Sequence, residues 1–308
     1  MAAEKFFATD EVVYDYGQQS SATSACVRTH LYGSTPADWH GLWAAWQHTR
    51  PALVAGHTPL QRFCPPIALA DTLTLLRDPL ARCFSEYLHV QREQRYSGSF
   101  RAYFSSPGQI NRQSRALSGV AFEALGAVGI TERYQDSLRV INERYGWRLK
   151  HRKDNKARWF APKLDTVSAS DRAEFARLNA DDLALYAAAN GALDRRLALQ
   201  QAGQPFVHGR WAVDERGQIS GWAWWAGAAS EQPVALELWR GGERLETQAS
   251  GFESRPFKGH EVPRAGRVGF AFQSVVEAPL TAPSAWSVRV ADTGQVLEGV
   301  TSALHVAH

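Results

Sequence analysis

The chain has 308 residues, 44% of them hydrophobic and 21% charged, which is enough for two domains with buried cores. A net charge of +3 is too small to argue for nucleic acid, and the basic surplus lies in residues 1–205, with 25 Lys and Arg against 20 Asp and Glu. Three cysteines (Cys26, Cys64, Cys83) cannot all pair and fit no metal site, and no apolar run reaches the ~20 residues of a membrane span.

Taken in chain order, Met1 is followed by Ala-Ala-Glu-Lys-Phe-Phe, which lacks the basic start and long apolar stretch of a signal peptide. With three reduced thiols, this predicts a cytoplasmic protein. The first informative segment is Asp71-Thr-Leu-Thr-Leu-Leu-Arg-Asp-Pro-Leu-Ala-Arg-Cys-Phe-Ser-Glu-Tyr87. Thr72 to Leu76 reads as a short buried strand, Asp78 as an N-cap and Pro79 as the first residue of a helix. Leu80, Cys83, Phe84, Tyr87 and Leu88 recur at helical spacing, and Arg82 and Ser85 share the opposite flank. With Arg77 at the strand's carboxyl end, a guanidinium, a hydroxyl and a helix N-terminus gather near one point, a constellation suited to phosphate. A cap with a local salt bridge explains the same spacing equally well. Farther on, Asn111, Arg112 and Arg115 suit either an anionic acceptor or a solvated basic face.

A helix is predicted from Thr131 to about Tyr145, with Tyr134, Leu138, Ile141 and Tyr145 as its apolar stripe and Gly146 at its stop. Another follows Ser170, with Phe175, Leu178, Leu185 and Tyr186 inward. Strands alternating with helices up to Leu199 indicate α/β architecture. After Gln201-Ala-Gly-Gln-Pro205 the pattern becomes all β. Val234, Leu236 and Leu238 alternate with other residues before the turn Gly241-Gly242, and Val288 and Val290 precede a turn at Asp292-Thr293-Gly294. The reading is an α/β domain over 1–203 and a small antiparallel β-sandwich over 206–302. Six of the 11 tryptophans (211, 222, 224, 225, 239 and 286) lie in the second; they can stack on sugars, but core packing is the expected role.

The Asp71–Tyr87 segment resembles the 3′-phosphate-binding motif of sulfotransferases that use 3′-phosphoadenosine 5′-phosphosulfate (PAPS), nearest to the heparan sulfate 2-O-sulfotransferase branch. The resemblance implies a three-layer, P-loop-like α/β fold with a central parallel sheet, in which Arg77 and Ser85 hold the 3′-phosphate with Arg82 beside them. Val54-Ala-Gly-His-Thr-Pro59 is similar to the family segment whose histidine is the catalytic base, which would make His57 that base; the residue alone reads instead as a buried histidine satisfied by backbone. Gly129-Ile-Thr-Glu-Arg-Tyr-Gln-Asp-Ser-Leu138 resembles a family helix start, and Asn179-Ala-Asp-Asp-Leu-Ala-Leu-Tyr186 the stretch that ends the fold. His151-Arg-Lys-Asp-Asn-Lys156 sits where related enzymes carry a basic loop over the cofactor, placing Lys153 among the cofactor-binding residues. Ile219-Ser-Gly-Trp-Ala-Trp224, with Gly269-Phe270, is loosely similar to an accessory β domain found beside bacterial glycan-modifying enzymes.

The implied activity is in-line transfer of a sulfuryl group from PAPS to a carbohydrate hydroxyl, leaving PAP, with no metal, nucleic acid or membrane span involved. One family part has no match: the Pro-Lys-x-Gly-Thr-Ser loop that binds the 5′-phosphosulfate. Met1–Asp10 has helix formers and apolar Ala3, Phe6 and Phe7 but no N-cap, so the reading frame is expected to extend upstream by ~20 residues. The competing expectation is a catalytically inactive relative that binds a glycan or a partner protein. A P-loop kinase is opposed by the missing Walker lysine and by Arg77-Asp78-Pro79.

Overall fold

In the computed structural model, which describes residues 6–63, 67–150, 164–227, 231–254, 257, 259–275 and 285–300, helices dominate up to Gln201 and strands follow. Strand β1 (Val12–Asp15) leads through a helical turn, α1 (Ala25–Val27), into α2 (Trp39–Thr49) and then β2 (Leu53–Gly56). Strand β3 (Leu73–Leu76) runs straight into α3 (Pro79–Arg92), followed by the short helices α4 (Phe100–Phe104) and α5 (Arg112–Ala116). Strand β4 (Ala127–Ile130), α6 (Tyr134–Tyr145), α7 (Ala169–Leu178) and α8 (Ala180–Gln201) complete this part. The molecule is thus mixed α/β with small sheets.

The expected single central parallel sheet is not formed among the described residues. β1 pairs with β2 and β3 with β4, each in parallel, as two separate two-stranded sheets. Side-chain packing joins them instead. Leu60 lies against the core of Leu76 and Ile130, while Phe63 and Ile67 lie against that of Val13, Leu42 and Trp46. Among the described residues each of these four strands therefore keeps one unpaired edge, and β2 and β3 are more exposed than β1 and β4.

Local chemistry explains the β3–α3 junction. The Asp78 carboxylate accepts from the Ala81 N–H at 2.7 Å and Pro79 opens the helix, so the chain turns at once. Cys83, Phe84 and Tyr87 are buried with Phe104 and Phe175. The Thr131–Tyr145 helix begins later than expected, after a 3-10 turn over Thr131–Arg133, and buries Ser137, Leu138, Val140 and Ile141 while Tyr134 and Tyr145 stay half-buried. The shift follows from Ser137, whose hydroxyl accepts from the Ile130 N–H at 2.7 Å and anchors the helix on β4. Gly129 makes this close approach feasible: a Cβ there would sit 2.8 Å from that of Ser137 and 2.5 Å from a Leu75 methyl.

The single helix expected after Ser170 is two, broken at buried Asn179, whose side-chain oxygen accepts from the Asn111 N–H at 2.9 Å. Phe175 is buried as expected, whereas Leu178, Leu185 and Tyr186 are only partly so; the deep face of α8 carries Ala189, Leu193 and Leu197.

The all-β part comprises β5 (Val207–Val213), β6 (Gln218–Trp225), β7 (Ala235–Arg240), β8 (Glu243–Ala249), β9 (Gly269–Val275), β10 (Trp286–Val290) and β11 (Glu298–Val300). They form a sheet β10-β7-β8 and a sheet β11-β5-β6-β9, antiparallel except for β11 with β5. Leu236, Leu238, Val288 and Val290 from the first meet Val207, Ile219, Trp225 and Phe270 from the second in one core. Gly241 and Gly242, both at positive φ, make the turn from β7 to β8.

β6 is covered on both faces. Ile219, Ala223 and Trp225 point to the core between the sheets, while Trp222 and Trp224 point the other way, into the core containing Leu193 and Leu197 of α8. Trp222 and Trp224 stack at 4.7 Å, and His208 stacks on Trp224 at 5.6 Å.

His208 is 1% exposed, and its Nδ1–H donates to the Glu123 carbonyl at 2.9 Å. Burial, reinforced by the Arg196 charge, pushes its pKa down to about 3, against ~6.5 for a free histidine. A group that resists protonation in the fold contributes fully above ~6.5. That contribution is lost as pH falls towards about 3, at up to ~1.4 kcal/mol per pH unit. The Glu123 carboxyl, raised by burial, acts in the opposite sense, while Arg196 and Arg144 remain cationic throughout this range. The urea midpoint is expected to fall between about pH 6.5 and 5, and His208→Asn, whose amide can replace the Nδ1 donor, to flatten that fall. An unchanged slope in the variant excludes His208 as the cause.

Candidate functional site

Two groups of polar residues follow the carboxyl ends of the parallel strands. The first surrounds β3 and α3. Gln113 grips the Arg77 backbone with both ends of its amide, accepting from the N–H and donating to the carbonyl, each at 2.9 Å. Gln113 is itself held because Asp182, fully buried, accepts from the Gln113 N–H at 3.1 Å and from the Ser114 N–H at 2.7 Å. Asp182 belongs to the Asn179–Tyr186 segment, whose role is thus to cap α5 and fix the platform under Arg77. Nothing in the periodicity signalled this, because the contact joins residues ~70 apart.

Arg77 is one-third exposed, with Nε 3.8 Å from a Glu132 oxygen that also accepts from the Asp78 N–H at 3.1 Å. The other Glu132 oxygen accepts from the Tyr186 hydroxyl at 3.1 Å. Arg82 Nη1 donates to Glu86 at 2.9 Å, and Arg112 pairs with the other oxygen of Glu86. Arg77, Arg82 and Arg112 thus face Glu86, Glu132 and the capping Asp78, and the cluster is close to neutral. Its surplus is in hydrogen-bond donors. Arg82 Nε and Nη2 are buried and have no partner among the described residues. Each unmatched donor costs ~1–3 kcal/mol, which an acceptor with two oxygens would recover by binding the guanidinium edge. Ser85 is half-buried one turn along the same flank. Burial pushes the Cys83 thiol up to about 12, which rules it out as a nucleophile near neutral pH. Arg115 donates to the Pro107 and Gly108 carbonyls and serves the loop.

The second group follows β1 and β2. His57, one residue past β2, is exposed; its ring meets Tyr16 edge-on at 5.1 Å and its N–H donates to the Asp15 carbonyl at 3.2 Å. Buried Asp15 accepts from Arg62 Nε at 2.7 Å, from the Tyr32 hydroxyl at 2.8 Å and from the Gly17 N–H at 3.1 Å. The guanidinium of Arg62 lies 5.0 Å from the Tyr32 ring and 5.9 Å from that of Trp39.

The structure therefore brings Arg77 and Arg82 to one junction with Ser85 beside them, and puts His57 at the end of the other parallel pair. No hydrogen bond, ion pair or ring contact links His57 to Arg77, Arg82 or Ser85 among the described residues. Lys153 and Cys64 lie outside those residues; Cys26 and Cys83 are free thiols. Trp222, Trp224 and Trp225 are 5%, 1% and 6% exposed, which removes them as a sugar platform. Among the described residues no group of three or more His, Cys, Asp or Glu side chains is placed to hold a metal ion, and no helix is long and apolar enough to cross a membrane. No family model matches the chain, and neither does any curated protein or solved structure.

Proposed function

We propose that the chain is a sulfotransferase that binds PAPS through the β3–α3 junction and transfers its sulfuryl group to a carbohydrate hydroxyl. The observation that carries this reading is the buried Arg82 edge, Nε and Nη2, left without acceptors where β3 turns into α3. A terminal phosphate supplies two oxygens in the geometry that a guanidinium edge matches, and Arg77 and Ser85 flank it. In the reaction the acceptor hydroxyl attacks sulfur in line, the S–O bond to the 5′-phosphate breaks, and the hydroxyl proton passes to the exposed His57. PAP leaves carrying the electron pair of that bond. The neutrality of the cluster gives this site a particular character: Glu132 has to yield the Arg77 side chain, so selectivity rests on hydrogen bonds more than on net charge.

Calorimetry of PAP and AMP against the purified protein tests the reading. PAP is expected to bind at least ten-fold more tightly, and Arg82→Ala or Arg77→Ala to remove about ten-fold or more of that affinity, as for loss of a charge-assisted contact of ~1.5–3 kcal/mol. Equal affinities for PAP and AMP sink the assignment. A protein that binds sugar but neither nucleotide supports the alternative reading, a non-catalytic glycan-binding relative.

A further inference from the structure

Among the described residues the tryptophans that remain exposed are not in the all-β part but on α2. Trp39 and Trp43 are 39% and 41% exposed, among the few large apolar side chains the surface shows. They are four residues apart and so share one face, one turn from each other, with exposed Gln47 a further turn along. Neither ring hangs free. Trp39 meets Phe63 edge-on at 5.8 Å, and Trp43 packs on buried Trp46 at 6.1 Å, so both indoles are held in place while part of each stays exposed. Asp38 caps the helix by accepting from the Gly41 N–H at 2.8 Å and bonds the His30 ring at 2.9 Å, which fixes the first turn beneath Trp39.

This shelf leads to His57 by short steps. Trp39 is 5.9 Å from the Arg62 guanidinium; Arg62 Nε bonds the Asp15 carboxylate at 2.7 Å; and the Asp15 backbone carbonyl accepts from the His57 backbone N–H. A protein partner is a poor match. A stable interface needs about 800 Å² per partner, whereas Leu42 points inward and the residues around the indoles are His40, Ala44, Gln47 and His48. A sugar is a good match. The C–H face of a pyranose ring carries slight positive charge and lies flat on an indole, while its hydroxyls reach polar groups at the rim.

We propose that Trp39 and Trp43 are the platform on which two successive pyranose rings of the acceptor lie, with Gln47 at the far end and the next ring projecting towards His57. The link to transfer rests on the function proposed above; the sugar-binding face itself does not.

The test uses the whole protein and three neutral probes: cellohexaose, chitohexaose and maltohexaose. Indole oxidation by N-bromosuccinimide, located by peptide mass spectrometry, is expected to be slowed at Trp39 and Trp43 by at least one of them. The Trp39→Ala, Trp43→Ala double variant is expected to bind that sugar about ten-fold or more weakly in calorimetry, with its melting temperature little changed. Absence of protection with all three probes overturns the proposal without needing any variant. So does sugar affinity retained in the double variant, or self-association in sedimentation that the double variant abolishes. PAP binding is measured in the same samples. Failure of sugar binding with PAP binding intact defeats this inference alone, and the reverse defeats only the donor assignment.

Discussion

Trp224→Ala is expected to lower unfolding free energy by about 3–5 kcal/mol. The ring is 1% exposed and is sandwiched by Trp222 and His208, with Phe257 edge-on at 5.3 Å. Its Nε1 has no partner among the described residues, so truncation forfeits no hydrogen bond and the whole cost is lost packing. Because the same core includes Leu193 and Leu197, the cavity opens beneath α8, and the urea midpoint reports it directly. Trp224→Phe retains part of the stack and should lose markedly less. A loss below about 1 kcal/mol in the alanine variant contradicts the packing of β6 against α8.

In a protein that also carries the upstream phosphosulfate loop, His57→Ala is expected to lower sulfuryl transfer by about 100-fold or more while leaving PAP affinity within two-fold of the parent, since general-base catalysis is worth ~10²–10⁴. The split between turnover and binding is the informative part. His57 stands at the end of β2, in a different two-stranded sheet from Arg77 at the end of β3, and no hydrogen bond, ion pair or ring contact among the described residues links it to the Arg82 edge. Transfer of labelled sulfate from PAPS to an oligosaccharide measures it. Parent-like turnover in the variant removes His57 from the reaction, and a parent carrying the upstream phosphosulfate loop that transfers nothing removes the reaction itself.

Local chemistry is the legible part of this sequence. The β3–α3 turn follows from Asp78 and Pro79, and the stop of α6 from Gly146, at φ 65°; each acts within one turn of the chain. The alternating Leu236, Leu238, Val288 and Val290 read correctly as one face of a sheet, because period two survives wherever a single face is buried. β6 defeats that rule: Trp222-Ala-Trp-Trp225 shows no alternation because both of its faces are covered. The break between α7 and α8 was hidden for another reason. Asn179 and Asp182 are spent on the Asn111–Ser114 backbone, and no propensity within 169–201 reports a partner so distant in sequence. The separation of the parallel strands into two pairs is likewise a non-local outcome, decided by which backbones meet. The candidate site divides on the same line. The residues at the β3–α3 turn are legible from their spacing, whereas the orphaned Arg82 edge, Glu132 at the Asp78 amide and the exposed face of α2 emerge only when separate segments pack.

The unpaired edges of β2 and β3, the more exposed strand of each pair, bear on how the protein behaves in crowded company. An open edge offers amides and carbonyls to any extended chain that drifts past, and Leu75, at 42% exposure, advertises one of them. Yet both templates are only four residues long, and both are bracketed by residues that arrest a growing ladder. Pro51 and Pro59 flank β2; Asp71 precedes β3, and Arg77, Asp78 and Pro79 follow it. Proline has no amide hydrogen to donate, and a run of charges resists stacking in register, so a foreign strand can gain a few hydrogen bonds here but cannot extend the pairing. The same three residues that shape the start of α3 also act as gatekeepers against aggregation.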